Sequence, residues 1–576
     1  MTLAAITGTA AAANRILSFS RFTAPRWCTS AASFWVLYSL VAYVPVCDHC
    51  TSLSECLVSP IDRVRRTTIV STDTNGLESC ENTEDLVARI SLVAPRGTPA
   101  AGAAVQAELR ILTQKLIASY RRDGKLLADP FLDARTRTIH VAEPEVREAL
   151  EGNTVLVTGG SGCVGRALIA KLRDYRPRRI ICVDWAATAP PGVIHYRVDI
   201  RDRRALTEAF ERERPGVVFH LAAQRNPGLA ERRVHETITT NVLGSANVIQ
   251  ACDTADVDVC VYSSTGKASR YLTNEVYAGS KKLSEWQMAI ANRQGHTRYV
   301  LARFTHVLDN SLVCTELSDA ITAAQPVGVH APNRYVVAQN AREAAQLLLN
   351  CAVGAAPNRI RLAVVRNLGW PVETLEMALY LIRESGLDLP VYFLGCPRGY
   401  WEDFFRGQVD WRDPVNLHPL LNVLESPARR IDPSGTVIWT ELEEIDAAQL
   451  DAGLVELYDA AFSPPACDEN MRAALASVST AMCRSSLNIA KPSDVLNILY
   501  WGVAPKYVEW GASGVLFEPL VEILSHALHG RLCDAVIRQS ALTGTDSQVL
   551  IDTLNRHGHP IERTESELAL APTGGH

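Results

Sequence analysis

A glycine-rich turn between a strand and a helix constrains the fold of this chain more than any other feature. The stretch TVLVTGGSGCVGRALIAKL places glycines at positions 159, 160, 162 and 165 between an apolar strand-like run and an amphipathic helix. Glycines in such a turn permit a tight bend and let the backbone approach a pyrophosphate, which then rests on the amides of the helix N-terminus. The pattern therefore predicts a dinucleotide site at the carboxyl end of a parallel strand.

The residues after Asn153 alternate between apolar strands and amphipathic helices. The strand candidates are TVLVTG, RIICVD, IHYRVDI, GVVFHLAA and VDVCVYSS. This alternation favours a parallel sheet with helices on both faces. We expect an α/β protein with a Rossmann-like doubly wound parallel sheet, a smaller substrate-binding domain and additional N- and C-terminal helical segments.

The length of 576 residues suggests two to four structural units, at about 150 residues per domain. Beyond Arg303 the apolar residues no longer recur at regular spacing, and the last part of the sequence is typical of helices. These two changes give the remaining domain boundaries. The predicted organisation is a targeting, anchoring or misassigned segment (1–57), a helical lead-in (58–150), an NAD-binding Rossmann domain (151–305), a substrate-binding domain (306–430) and a helical C-terminal extension (431–576).

Composition excludes several classes of function. A net charge of -6 and the lack of a basic stripe argue against a nucleic-acid partner. The 15 cysteines are scattered, several of them in apolar segments, which favours a reducing compartment. Cys47, His49, Cys50 and Cys56 do not match a zinc spacing, so no metal is predicted.

The N-terminus has the composition of a targeting segment. Arg15, Arg21 and Arg26 precede the first acidic residue, Asp48. The apolar run from Ser33 to Val46 is shorter than the roughly 20 residues that a membrane-spanning helix needs. We expect a cytoplasmic protein without membrane association, with organellar targeting or an N-terminal anchor as open alternatives.

Asp184 indicates which dinucleotide binds. It follows the strand RIICV about 25 residues after the first glycine, where a carboxylate accepts from the ribose 2′-hydroxyl and repels a 2′-phosphate. Trp185 and Ala186 come next, so no arginine stands there to receive that phosphate. NAD is predicted in preference to NADP, and the alternative is that Asp184 only caps the following turn.

A second stretch, SSTGKASRYLTNEVYAGSKKLSE, carries candidate catalytic residues. Tyr277 and Lys281 are four residues apart and share one helix face. A neighbouring ammonium stabilises a tyrosine phenolate, so that the phenol can accept a proton from an alcohol. Ser264 and Thr265, at the end of a strand, can hold the substrate oxygen. A Y-x-x-x-K spacing alone is commonly structural, but the glycine turn before it favours catalysis.

Several motifs together resemble one family over residues Asn153 to Leu424. The sequence is similar to the extended short-chain dehydrogenase/reductases, in the branch of UDP-N-acetylhexosamine 4,6-dehydratases and epimerases of polysaccharide biosynthesis. The resemblance implies NAD, a nucleotide-activated sugar as substrate, and Asp199 at the adenine. It rests on TGGSGCVG, VDIRD, HLAAQRNPGLAE, TNVLGSANVIQAC and SSTGKA.

The mechanism implied by this resemblance exposes one departure. In such dehydratases the tyrosine and NAD oxidise the sugar C4 hydroxyl, a base then removes the C5 proton, an acid protonates the departing C6 hydroxyl, and hydride returns to C6. The family motif TDKA supplies the acid and the base, whereas this chain has Thr265, Gly266 and Lys267. The base candidate Lys267 is present and the acid is missing.

Three hypotheses follow from the missing acid. Glu275 replaces it and dehydration persists, or the enzyme stops at oxidation and re-reduction as an epimerase or simple dehydrogenase. The third is a non-catalytic protein that binds NAD or a nucleotide sugar.

Departures at the substrate side leave the sugar undefined. His306 and Asp309 replace residues that are usually Asn and Gly in the family, where the sugar nucleotide would dock. Arg334 is a bidentate donor for a diphosphate or, equally, an exposed structural arginine. A homo-oligomer is expected. The predicted cofactor contacts are Gly159, Ser161, Gly162, Cys163, Val164, Gly165, Asp184, Asp199, Ile200, Leu221, Ala222, Ala223, Asn241 and Lys281.

Overall fold

The computed structural model describes residues 81–557 except 99, 401–403, 465, 509–513, 541 and 543–546. The predictions for residues 1–57, including those for the cysteines and His49, lie outside this part of the chain. In the described part, no helix combines the length and apolarity needed to cross a membrane.

The strands form one large sheet and three two-stranded sheets. In chain order they are β1 (Thr154–Thr158), β2 (Arg179–Val183), β3 (Ile194–Tyr196), β4 (Val217–His220), β5 (Val259–Thr265), β6 (Arg298–Phe304), β7 (His306–Val307), β8 (Val327–Val329), β9 (Tyr335–Val336), β10 (Ala338–Gln339), β11 (Arg361–Val365), β12 (Val372–Glu373), β13 (Val391–Phe393), β14 (Arg430–Ile431) and β15 (Val437–Glu441).

The α-helices precede, alternate with and follow these strands. They are α1 (Thr83–Val93), α2 (Ala103–Arg122), α3 (Leu132–Thr136), α4 (Glu143–Leu150), α5 (Cys163–Leu172), α6 (Arg203–Glu213), α7 (Pro227–Arg232), α8 (Val234–Ile238), α9 (Gly244–Thr254), α10 (Val276–Gln294), α11 (Leu312–Thr322), α12 (Ala341–Val353), α13 (Thr374–Ser385), α14 (Ala447–Phe462), α15 (Asp468–Ile489), α16 (Pro492–Val503), α17 (Pro505–Val508), α18 (Glu518–Leu528), α19 (Asp534–Gln539) and α20 (Ser547–Arg556).

The large sheet confirms the predicted Rossmann-like architecture. Its order is β14-β15-β11-β6-β5-β4-β1-β2-β3, and pairing is parallel from β11 to β3. The apolar runs of β1 and β4 are buried along their whole length, as expected of parallel strands covered on both faces. The strand order reverses between β1 and β4, where the carboxyl ends of the strands leave a crevice for ligands.

The N-terminal helices pack into the smaller unit. The apolar faces of α1 and α2 share a core with α11, α13, β8 and β13. The backbone N–H of Val391 donates to the Thr113 hydroxyl at 2.9 Å, and the Tyr120 hydroxyl donates to Glu373 at 2.9 Å. The region predicted as a lead-in thus supplies half of this core, because the amphipathic face of α2 needs an apolar surface to cover it.

The chain returns to the main sheet after the smaller unit. Strand β11 pairs with β6, and β15 extends the sheet by pairing antiparallel to β11. The predicted boundary at residue 430 therefore falls inside β14. Beyond β15 the described residues are helical, and α15 packs on α10, with Leu475 lying 3.4 Å from the point where Gly279 would carry a Cβ.

Candidate active site

One cleft of about 460 Å³ opens at the carboxyl ends of β1, β4, β5 and β6 and extends to the smaller unit. Both stretches singled out in the sequence meet in it. The predicted site residues that line this cleft are Gly159, Gly162, Cys163, Val164, Gly165, Leu221, Ala223, Ser264, Thr265, Lys267, Tyr277, Lys281, His306 and Arg334.

The glycine turn is packed too closely to admit side chains. Gly159 has a φ of +71°, and a Cβ there would lie 2.6 Å from the backbone N of Ala222. A Cβ on Gly165 would lie 2.5 Å from the Gly159 carbonyl oxygen. Helix α5 starts beside this turn, and no described side chain caps its first amides. The uncapped amides face the cleft, as an anion such as a pyrophosphate requires.

Asp184 joins the end of β2 to this turn. One carboxylate oxygen accepts from the backbone N–H of Ser161 at 2.9 Å, and the other accepts from that of Ala186 at 3.0 Å. This geometry is compatible with both interpretations of Asp184, as an acceptor for the cofactor ribose and as a cap of the following turn. Acceptor capacity is left on both oxygens, since a carboxylate has about four lone-pair sites.

Tyr277 and Thr265 form the polar centre of the cleft. Helix α10 begins at Val276 and places Tyr277 in its first turn. Burial raises the pKa of the Tyr277 phenol, while a hydrogen bond from Thr265 and the charge of Arg225 oppose that rise. The Ser264 hydroxyl is buried without a hydrogen-bond partner among the described residues.

Lys281 lies one turn further along α10. Its Nζ donates to the Ser263 carbonyl at 2.6 Å and lies 4.2 Å from the centre of the Tyr262 ring. Burial lowers the pKa of Lys281 to about 7, against the opposing charge of Glu285. Near neutral pH the amine is thus charged in only part of the molecules, and Arg225 adds a second positive charge near Tyr277.

Two buried polar side chains support the cleft from behind. The Asn241 amide donates to the Ser280 hydroxyl at 2.9 Å and accepts from the Gln224 N–H at 2.7 Å. His220 bonds the hydroxyls of Thr158 and Ser245, and burial lowers its pKa to about 3. Their polar atoms are satisfied within the protein, so they orient β4 and α10.

The candidate acid Glu275 does not line the cleft. Its carboxylate contacts Lys267 Nζ at 3.2 Å and Arg270 at 3.1 Å. The Lys267 ammonium also donates to the Gly399 carbonyl at 2.9 Å. The carboxylate is thus engaged by two cations at a position outside the lining of the cleft.

Leu420 explains why residue 266 is a glycine. A Cβ at Gly266 would lie 2.1 Å from Leu420 Cδ2 and 3.3 Å from its Cγ. Both residues line the cleft, and both are buried. The space that a side chain at position 266 would need is therefore occupied by an apolar group.

Of the residues predicted to bind the substrate, some line the cleft and one does not. His306 lines the cleft and bonds the Ser311 hydroxyl at 2.6 Å through Nε2. Asp309 accepts from the backbone N–H of Ala341 at 2.7 Å and so holds the start of α12. Arg334 also lines the cleft, on the segment that contacts Glu373.

Other predicted cofactor residues lie at the edge of the cleft or behind it. The Asp199 carboxylate forms a bidentate pair with Arg201, with a closest distance of 2.6 Å. Ile200 is buried where Gly244 of α9 comes close. The backbone N–H of Ser161, within the glycine turn, donates to Asp184. The backbone of Ala222 packs against Gly159 of the same turn.

The sequence did not single out several lining residues. Arg225 and Arg270 join Lys267, Lys281 and Arg334 in the cleft, and Glu316 is the one acidic side chain among the described lining residues. The run HLAAQR could have indicated Arg225, since it directly follows β4. The cleft is strongly cationic and suits an anionic ligand.

Comparisons with known proteins agree with this geometry. Residues 155–399 match the model of a family described as polysaccharide biosynthesis protein. EpsC of Bacillus subtilis, a probable polysaccharide biosynthesis protein, is 26% identical over 296 residues, which cover 48% of this chain and 48% of that protein. A UDP-N-acetylglucosamine 4,6-dehydratase (inverting) of Campylobacter jejuni is 29% identical over 170 residues, 27% of this chain and 50% of that enzyme.

Over residues 155–399 the chain is similar to the polysaccharide-biosynthesis branch of the extended short-chain dehydrogenase/reductases. The chain spans about half the length of the curated relatives it matches. A solved structure, Pen from Bacillus thuringiensis, is 18% identical with a TM-score of 0.43, and the match covers 51% of this chain and 87% of that one. The matched region, residues 155–399, contains every candidate site residue that the sequence predicted. Leu420, which packs against Gly266, lies outside it.

Proposed function

We propose that the protein is an NAD-dependent enzyme that oxidises the C4 hydroxyl of a nucleotide-activated sugar in polysaccharide or glycoside biosynthesis. One observation carries the proposal: the hydroxyls of Tyr277 and Thr265 meet in a cationic cleft beside the glycine turn. The family of residues 155–399 and the name of the dehydratase relative support it.

The residues of the first half of the cleft fit a dinucleotide. The close packing of Gly159 and Gly165 leaves room for a backbone-bound pyrophosphate at the start of α5. Asp184 would accept from a ribose hydroxyl, and its charge supports NAD over NADP. When bound, the nicotinamide accepts and returns a hydride.

The chain's own groups then handle the proton. Thr265 donates to the Tyr277 oxygen, the Ser264 hydroxyl is available to hold the substrate oxygen, and Tyr277 accepts the alcohol proton. Positive charge from Arg225, and from Lys281 when it is protonated, stabilises the Tyr277 phenolate, which is the form that can accept this proton. Burial opposes this ionisation, because desolvation raises the pKa of Tyr277 even with Arg225 nearby.

The remaining cations suit the diphosphate of a nucleotide sugar. Arg225, Arg270 and Arg334 line the cleft and carry guanidinium groups. Planar guanidinium groups bind phosphate oxygens in pairs. The sugar itself would then lie between this anion site and Tyr277.

The test is formation of NADH from bound NAD. The purified protein, loaded with NAD, is mixed with a panel of UDP- and dTDP-sugars, and NADH absorbance and products are followed. Tyr277→Phe should bind both ligands and form NADH about 10²–10⁴-fold more slowly. Binding of NAD and a sugar nucleotide without hydride transfer in the wild type would instead identify a non-catalytic binder.

The expected homo-oligomer would use surfaces other than α10. Most residues of that helix are buried within one chain, and α15 covers it through Leu475. Light scattering after gel filtration measures the number of copies, and an interface that buries α10 would contradict this expectation.

A further inference from the structure

We propose that Leu420 makes the cleft wall beside Thr265 aprotic and thereby fixes the outcome of the reaction: a sugar is oxidised and re-reduced, and no water is eliminated. This inference rests on the proposed function. It assigns a specificity role to a residue that lies outside the matched family region of 155–399.

The apolar wall is built by contact with the strand that carries Thr265. Leu420 Cδ2 lies 2.1 Å from the point where Gly266 would carry a Cβ, and Leu420 is 4% exposed. A proton-donating side chain at position 266 would have to displace this leucine. The cleft wall beside Thr265 therefore offers no proton from position 266.

The backbone of Leu420 is held firmly in this position. Its carbonyl accepts from Arg303 Nη1 at 2.9 Å, and the Asn422 amide donates to the Ser269 carbonyl at 3.1 Å. The Ser269 hydroxyl in turn donates to the Gly266 carbonyl at 2.7 Å. These bonds fix the Leu420 backbone beside Gly266, so a side chain at position 266 would need a different rotamer of Leu420.

No other carboxylic acid of the described cleft takes the missing place. Glu275 is paired with Lys267 and Arg270 and does not line the cleft. Glu316, the acidic side chain that does line it, is on α11 of the smaller unit and exposed to solvent.

The chemistry balances without elimination. The C4–H bond breaks and its hydride reduces NAD, while the O–H proton moves to Tyr277. The resulting ketone takes the hydride back on either face, and Tyr277 returns its proton to the oxygen. With no donor at position 266, we expect the C6 hydroxyl to stay on the sugar, because leaving as water would need a proton at that point.

The experiment measures NADH formation and product mass separately. Wild-type protein with NAD and an active UDP-sugar should give NADH transiently and a product of unchanged mass, with no loss of water. Loss of water in the wild type at a rate within tenfold of sugar oxidation would overturn the inference and leave the proposed function standing. A wild type that forms no NADH with any sugar refutes the proposed function, and the inference with it.

Variants test the role of Leu420 directly. The double variant Gly266→Asp, Leu420→Ala makes space for an acid and should gain a water-loss product at least about tenfold above the wild-type level. A double variant that still forms NADH but eliminates no more water than the wild type would contradict the assignment. Gly266→Asp alone should be poorly folded or inactive, because of the contact with Leu420.

Leu421 provides the matched control. It is as buried as Leu420, at 3% exposed, but it does not line this cleft. Leu420→Ala should raise the KM for the sugar nucleotide about tenfold without changing NAD affinity. Leu421→Ala should leave both quantities unchanged, and equal KM values in the two variants would count against the proposal.

Discussion

Replacement of Arg303 by methionine tests whether the buried ion cluster behind the cleft stabilises the protein. Arg303 is fully buried and donates to Glu285 at 2.7 and 2.8 Å, to Glu425 at 2.7 and 2.8 Å, and to the Leu420 carbonyl. Methionine matches much of its length but carries no charge. Arg303→Met therefore leaves the buried carboxyl groups of Glu285 and Glu425 without their shared hydrogen-bond donor.

The expected loss follows from the state of those carboxylates. Burial raises the pKa of Glu425 to about 8, even against the charge of Arg303, so this group keeps its proton at neutral pH. Glu285 is also fully buried and would lose its bidentate partner. Removing one partner of a buried ion pair costs about 3–5 kcal/mol, and we expect a loss of unfolding free energy in that range.

Urea unfolding followed by tryptophan fluorescence measures the loss. Arg359 is the matched control, because it also contacts two glutamates, Glu441 at 3.0 Å and Glu444 at 2.9 Å, but is 59% exposed. Arg359→Met should cost less than about 1 kcal/mol. If Arg303→Met costs no more than Arg359→Met, the cluster does not stabilise the fold as argued here.

Four further outcomes are expected. Tyr277→Phe should slow NADH formation about 10²–10⁴-fold with an unchanged urea midpoint, and a loss below tenfold would exclude Tyr277 as the proton acceptor. Asp184→Ser should weaken NAD binding about tenfold and improve NADP binding in calorimetric titrations, and unchanged NAD affinity would leave Asp184 a turn cap. Tyr120→Phe leaves Glu373 short of a buried partner, so it should cost about 1–3 kcal/mol and raise the KM for the sugar nucleotide but not for NAD. Because the folded pKa of Glu425 is raised, its stabilising effect is present below about pH 4.5 and is lost as pH rises to about 8, at up to about 1.4 kcal/mol per pH unit. The difference in stability between wild type and Glu425→Gln should follow that slope, and a flat difference would refute it.

Local patterns in the sequence predicted the fold and the polar centre of the cleft. The glycine turn, the strand β5 and the Tyr277–Lys281 spacing are each contained within a short segment, so their geometry follows from local conformation. The predicted α/β architecture is confirmed. It could be predicted because the spacing of apolar residues in each segment reflects which of its faces is buried.

Contacts between distant segments could not be predicted from such patterns. No residue near Gly266 in the sequence indicates that Leu420 occupies the space beside it. That contact depends on the position of a loop more than 150 residues later in the chain. The pairing of Arg303 with Glu425 joins residues 122 positions apart. The packing of α2 against Glu373 spans 253 positions and made a predicted lead-in part of the smaller unit.

Glu275 shows a different limit. Its place near the start of α10 suggested an acid, and Lys267 and Arg270 were visible nearby in the sequence. Their side chains turn to the glutamate, with Arg270 at 3.1 Å, so that the carboxylate is held beside cations. Sequence proximity gave the three residues but not the direction in which each side chain points.

The late partners of Arg303 and Lys282 have a consequence for synthesis on the ribosome. Lys282 pairs with Glu443 at 2.9 Å, and the two residues are separated by 161 positions. At about 5–20 residues per second, roughly 10–30 seconds pass between translation of this lysine and of its carboxylate. Until then the nascent chain carries uncompensated cations and an unfinished cleft wall, and we expect it to need protection from premature collapse during that interval.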